Sequence, residues 1–134
     1  MKVLVDTSVW SLALRRRAPA HPAVDELRRL VAHGRAAIVG PVRQELLSGI
    51  RDLAVFARLR DHLRAFPDEP ITSADYERAA DCFNLCRAKG IQGSNTDFLL
   101  CAVAERHRFP ILTTDDDFLK YGRVLPLRLH AAQK

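Results

Sequence analysis

KVLVDTSVW, residues 2–10, decides the fold class. Lys2 to Val5 is a short apolar run rich in β-branched residues, and it stops abruptly at Asp6-Thr7-Ser8. A strand buried on both faces ends in this way, in a polar turn. The break at Asp6 makes the stretch read as a first strand and not as a signal peptide. No apolar run in the chain approaches the ~20 residues that a membrane span requires.

Similar short runs recur further along. Ala36–Val39 and Pro110–Thr113 read as strands, and Val124–Leu129 as a last one. Helical spacing fills the intervals. Val9–Arg17 follows the first turn, and Pro19 and Pro22 mark a loop. Val24, Leu27, Leu30 and Val31 share one helix face, and Gly34 stops that helix. Gly40-Pro41 opens the next, which carries Val42, Leu46 and Leu47 on one arc. Leu53, Phe56, Ala57, Leu63 and Phe66 outline a further amphipathic helix. Thr72-Ser73-Ala74-Asp75 is a capping-box pattern, and it opens a helix that runs to about Lys89 before Gly90. Thr96–His107 is apolar nearly all round, the mark of a buried helix. Strands alternating with helices predict an α/β domain, residues 1–134, with a central parallel sheet of about four to five strands and helices on both faces.

Composition narrows the function. The chain has 134 residues, 48% hydrophobic and 28% charged, the balance of a globular domain able to bury its own core. Lys and Arg number 21 against 16 Asp and Glu, a net charge of +5 that suits a polyanionic partner. Arg15, Arg16 and Arg17 are the sharpest basic run, and a plain solvated surface explains them equally well. Cys82, Cys86 and Cys101 lack metal-ligand spacing and fall in apolar helical patterns, so they read as reduced core residues of a cytoplasmic protein.

The chemistry lies in acids. Ligands of open α/β sheets bind beyond the carboxyl ends of the strands. Asp6 closes the first strand, and Asp115 follows Ile111-Leu112-Thr113-Thr114. Asp97 opens the most hydrophobic helix, and Glu45 lies at the edge of its helix's apolar arc. Each has a plainer reading. Asp6 and the Asp115-Asp116-Asp117 triplet can cap helices. Asp97 can be the return partner of a capping box from Ser94, and Glu45 a surface residue. Converged carboxylates repel by about 4 kcal/mol per pair at ~4 Å and an effective dielectric of ~20. A hard divalent cation relieves that repulsion. Without histidine or cysteine spacing for zinc, Mg2+ or Mn2+ is the expected ion.

These segments together resemble the PIN-domain ribonucleases, and specifically the VapC-type toxins of toxin–antitoxin pairs. The likeness runs from VLVDTSVW at residue 3, through GPVRQELLSG at residue 40 and NTDFLLCA at residue 95, to TTDDDF ending at Phe118. It implies a PIN-like three-layer α/β/α fold and a metal-dependent endoribonuclease acting on cellular RNA such as tRNA or rRNA. It also implies that Asp6, Glu45, Asp97 and Asp115 are catalytic and hold Mg2+ or Mn2+. Ser8 and Thr113 match small hydroxyl positions that support such a site, and Asp117 is a further supporting acid. A homodimer and a cognate VapB-type antitoxin are implied as well. Phe98 and Cys101 depart from the smaller or aliphatic residues usual in the third motif.

Two other readings compete. One is a PIN nuclease of RNA processing or DNA cleavage that is no toxin. The other is a non-catalytic, receiver-like module with an acidic pocket. The second lacks a companion lysine at a late strand end, because Lys120 stands beyond the acidic loop. Turnover on labelled RNA separates it from the nucleases.

Overall fold

The computed structural model describes residues 1–15, 17 and 20–131. Arg16 of the basic run and Pro19 of the expected loop lie outside the described residues. Three strands form one parallel sheet: β1 (Val3–Val5), β2 (Ala36–Ala37) and β3 (Ile111–Leu112), in the order β2-β1-β3. β1 is central because all three of its residues are apolar and buried, with no polar face to offer solvent. Val3 pairs with Ala36 and Leu4 with Ala37, while on the other side Leu4 pairs with Ile111 and Val5 with Leu112.

Single bridges extend both edges of the sheet, Ile38 to Asp68 and Ile111 to Leu129. The expected strand at 124–129 is therefore reduced to one rung. Pro126 is the reason: it has no N–H to give a ladder, and the Leu127 N–H donates across it to the Leu125 carbonyl, 2.9 Å away. The sheet has three strands among the described residues, with a bridging residue at each flank.

The helices are α1 (Thr7–Ala13), α2 (Pro22–Ala32), α3 (Gly40–Leu47), α4 (Leu53–Leu63), α5 (Ser73–Ala88), α6 (Asn95–His107) and α7 (Asp117–Tyr121). α1 stops well short of Arg17, at the C-cap Leu14. α2 starts earlier than the apolar spacing suggests because Pro22 takes its first position, where the missing N–H costs nothing. The α5 capping box forms in both directions, Asp75 N–H to the Thr72 hydroxyl and Thr72 N–H to the Asp75 carboxylate.

α6 is the core helix. Phe98 to Ala104 are all buried, and the free thiols of Cys82, Cys86 and Cys101 are buried with them. Two arginine forks fasten α6 to α5. Arg106 clasps Asp75 through Nε at 2.8 Å and Nη2 at 2.9 Å, and Arg78 reaches Glu105 at 2.8 Å. Arg106 holds the Asp75 carboxyl below its ordinary range against the opposing effect of burial. These forks fix the axial position of α6 and so the height of Asp97 at its start.

A second buried acid anchors the end of the described chain. Glu26 on α2 is 3% exposed. Arg29 grips it with two hydrogen bonds, and His130 Nε2 lies 2.9 Å from Oε2. The Arg29 hydrogen bond chiefly, aided by His130 and opposed by burial, lowers the Glu26 carboxyl to about 2. A depressed carboxylate stabilises the fold above its unfolded pKa, and that stabilisation is lost as pH falls through 4.5 toward 2. Glu26→Ala should cost about 2–3 kcal/mol at pH 7, the worth of charge-assisted hydrogen bonds. The difference from wild type in urea unfolding should shrink on acidification through that window. An undiminished difference at pH 2 would contradict this account.

Candidate active site

The register between β1 and β3 builds the first half of the site. Leu4 faces Ile111 and Val5 faces Leu112, so the next rung brings Asp6 beside Thr113. There the Thr113 hydroxyl donates to Asp6 Oδ2 at 2.8 Å, and the Ser8 hydroxyl donates to the same oxygen at 2.8 Å. Both hydroxyl oxygens also accept from the loop beyond β3. Thr114 N–H donates to Ser8 Oγ at 3.1 Å, and Asp115 N–H to Thr113 Oγ1 at 3.0 Å. Asp6 stands at the N-cap of α1, yet its side chain makes no capping bond. The plain capping reading of Asp6 therefore fails: its carboxylate, 5% exposed, organises the facing loop.

The second half comes from the start of α6 and the start of α7. Carboxylate oxygens of Asp97, Asp115 and Asp117, one from each, lie within 4.8 Å of one another. Asp97 occupies the first turn of α6. Ser94 accepts from its N–H at 3.1 Å, but Asp97 does not complete the box. Its Oδ2 instead accepts from the buried Tyr121 hydroxyl at 2.7 Å. Asp115 does some capping, since its Oδ1 accepts the Asp117 N–H at 2.9 Å. Asp116 is exposed and outside the group.

Asp6 and Glu45 also stand outside that 4.8 Å group. Asp6 is near enough for its charge to act on Asp97. Glu45 is exposed on α3, with no hydrogen bond or ion pair among the described residues. The contact that sequence reasoning missed is Tyr121. Its signal was available: Tyr121 stands four residues after Asp117, on the same face of a short helix.

Burial raises the Asp97 carboxyl to about 6, and the charges of Asp6 and Asp115 add to the rise, while the Tyr121 hydrogen bond opposes it. Burial and the neighbouring acids push the Tyr121 hydroxyl well above its ordinary range, so it remains a donor. Among the described residues only Lys120 forms an ion pair with the group, from the exposed side of α7, 3.7 Å from Asp117 Oδ1. Three oxygen donors, no sulfur or imidazole and a deficit of positive charge fit a hard divalent cation.

Comparison with known proteins agrees with this geometry. The PIN domain family model matches residues 3–124. The chain belongs to the PIN-domain family. It is 32% identical over 130 residues to the VapC ribonuclease Mb1587 of Mycobacterium bovis and to ribonuclease VapC11 of Mycobacterium tuberculosis, covering 94% of this chain and 96% of each relative. Its fold is also similar to a chain in the VapBC2 structure from Rickettsia felis, solved bound to a DNA fragment from their promoter. That match has a TM-score of 0.78 and 18% identity, over 97% of this chain and 98% of the other. FitAcB from Neisseria gonorrhoeae gives a TM-score of 0.77 at 18% identity, over 97% of both chains. The PIN fold expected from the motifs is thus the fold observed.

The raised Asp97 carboxyl has a consequence for the metal-free protein. Its folded value of about 6 exceeds the ordinary 3.8, so ionisation of Asp97 weighs against the fold as pH rises through that interval. Asp97→Asn should therefore raise Tm by a few degrees at pH 7.5 in EDTA and have no such effect below pH ~4. A pH-independent change in Tm would show that charge is not the cause.

Proposed function

We propose that this chain is a divalent-metal-dependent endoribonuclease, the toxin of a VapBC-type toxin–antitoxin pair, which hydrolyses phosphodiester bonds in cellular RNA. The observation that carries the reading is the convergence of Asp97, Asp115 and Asp117 beside Asp6, in a chain of the PIN family whose relatives are named VapC ribonucleases. The four acids Asp6, Glu45, Asp97 and Asp115 are the proposed catalytic set. Asp97 and Asp115 would hold Mg2+ or Mn2+ directly, with Asp117 beside them. Asp6 adds negative potential while Ser8 and Thr113 fix its carboxylate. Glu45 is the peripheral member, exposed and free to approach a cation or the RNA.

Held by Asp97 and Asp115, such a cation would supply Lewis-acid chemistry, acidifying water and neutralising charge on a phosphodiester. The chain's own residues do the rest. The clustered carboxylates concentrate negative charge, which favours a cation and repels a bare phosphate. Rigid anchoring through Thr113 and Ser8 keeps the acid loop in place for each turnover. The Ser8 and Thr113 hydroxyls donate to Asp6 and accept from the loop N–H groups, so their role in this reading is to hold the acid loop, with water as the nucleophile.

The same reading includes a cognate VapB-type antitoxin, a homodimer, a cytoplasmic setting and tRNA or rRNA as substrate. The likeness to VapBC2, and to a toxin–antitoxin complex from Klebsiella pneumoniae with TM-score 0.64, supports the antitoxin. No described helix is long and apolar enough to cross a membrane.

Purified protein should cleave labelled RNA in Mg2+ or Mn2+ and stop in excess EDTA. Asp6→Asn, Asp97→Asn and Asp115→Asn should each lose at least ~10²-fold in rate while keeping their circular dichroism spectra. Asp117→Asn should lose less, and Asp116→Asn should stay near wild type. Undiminished cleavage in EDTA, or Asp116→Asn as the most damaged of the triplet, would reject the assignment.

A further inference from the structure

Tyr121 is fully buried, and its hydroxyl has one hydrogen-bond partner among the described residues, Asp97 Oδ2. Burying a phenol hydroxyl to no purpose is costly, and a phenylalanine would fill the same core. The ring already packs as a core residue, 4.9 Å from Phe98 and 5.1 Å from Phe118 between centroids. The oxygen therefore has a task that the packing does not explain.

The helix geometry names that task. α7 starts at Asp117 and ends at Tyr121, and positions four apart share a face. One end of this single turn contributes Asp117 to the acid group, and the other holds Asp97 by its Oδ2. Asp97 is thus gripped from the C-terminal side of the acid loop as well as from its own helix. Gly93 leaves the space. A Cβ there would lie 2.8 Å from Phe98 Cζ and 2.8 Å from Tyr121 Cε1, and closer still to the Tyr121 hydroxyl.

We propose that Tyr121 is a positioning residue for Asp97. Its hydroxyl holds one carboxylate oxygen and so fixes the orientation of the carboxyl that Asp97 presents to Asp115 and Asp117, and Gly93 is the gap that lets the hydroxyl reach. The inference rests on the metal-site reading above. A neutral donor suits this position. An arginine or lysine at the same point would orient Asp97 equally well but would cancel the negative charge that attracts a cation. Carboxylates that ligate metals are commonly held by such outer hydrogen bonds, whose loss weakens metal affinity ~10–100-fold.

The test compares wild type, Tyr121→Phe, Gly93→Ala and Asp97→Asn by free-Mn2+ electron paramagnetic resonance, with Tm of the metal-free proteins and RNA cleavage kinetics in parallel. Tyr121→Phe should keep Tm within a few degrees of wild type, bind Mn2+ at least ~10-fold more weakly and lower kcat at saturating Mn2+ with KM for RNA unchanged. Gly93→Ala, which displaces the hydroxyl without removing it, should lose Mn2+ affinity in the same direction. If Asp97→Asn loses Mn2+ while Tyr121→Phe binds it as wild type does, the positioning role is overturned and the metal site stands. If wild type binds no Mn2+, or Asp97→Asn binds it unchanged, both fall together.

Discussion

One carboxylate oxygen, Asp6 Oδ2, is the point on which the acid loop beyond the sheet depends. It accepts from Ser8 in its own turn and from Thr113 across the sheet. Each of those hydroxyls then accepts a backbone N–H of the acid loop, from Thr114 and Asp115. A buried carboxylate needs such donors, because leaving its lone pairs unpaired in a dry site costs several kcal/mol. The donors here are hydroxyls, which add no charge. The sheet satisfies its buried acid and aligns the loop bearing Asp115 and Asp117 by the same four hydrogen bonds, and the site stays strongly negative.

Elsewhere the molecule treats buried acids in the opposite way. Asp75 and Glu26 are each gripped by an arginine, and both carboxyls sit below their ordinary range. Those pairs are structural fastenings, one fixing α5 to α6 and one tying residue 130 to α2. Asp97, only half-buried, has a phenol in place of a guanidinium and is pushed upward. The sign of the perturbation divides the acids paired with arginine from the acid that lies among other acids.

Much of this was legible in the sequence. The KVLVD stretch announced the central strand, because three consecutive buried residues followed by an acid have few other readings. The Gly34 stop, the Thr72–Asp75 box and the apolar α6 were equally readable, since each is a local rule with a local cause. Tertiary facts were less so. The 124–129 segment has a strand's composition, but Pro126 denies it a ladder, and it settles for one bridge. Asp6 read as a cap or as a site residue with nothing local to choose between them. The capping reading is removed by Thr113, more than a hundred residues away, which engages the Asp6 carboxylate through the pairing of β1 with β3. Tyr121 went unread, since its ring is core and only its oxygen reaches Asp97. Glu45 shows the reverse limit: the family resemblance implies a site role for it, and the fold leaves it exposed, with no hydrogen bond or ion pair among the described residues.

The two isolated bridges at the flanks of the sheet carry a consequence for the solution behaviour of the protein. A parallel sheet with strands only two or three residues long presents little edge, and here each edge is further covered. Glu69 N–H donates to the Ile38 carbonyl on one side, and on the other Ile111 exchanges hydrogen bonds with Arg128 and His130. Unpaired strand edges are templates for the addition of foreign strands. By closing both with single rungs from irregular chain, the fold denies a growing aggregate its docking line. On the β3 side that protection belongs to residues 128–130, so the last stretch of described chain is an edge guard, and trimming it would expose Ile111 to intermolecular pairing.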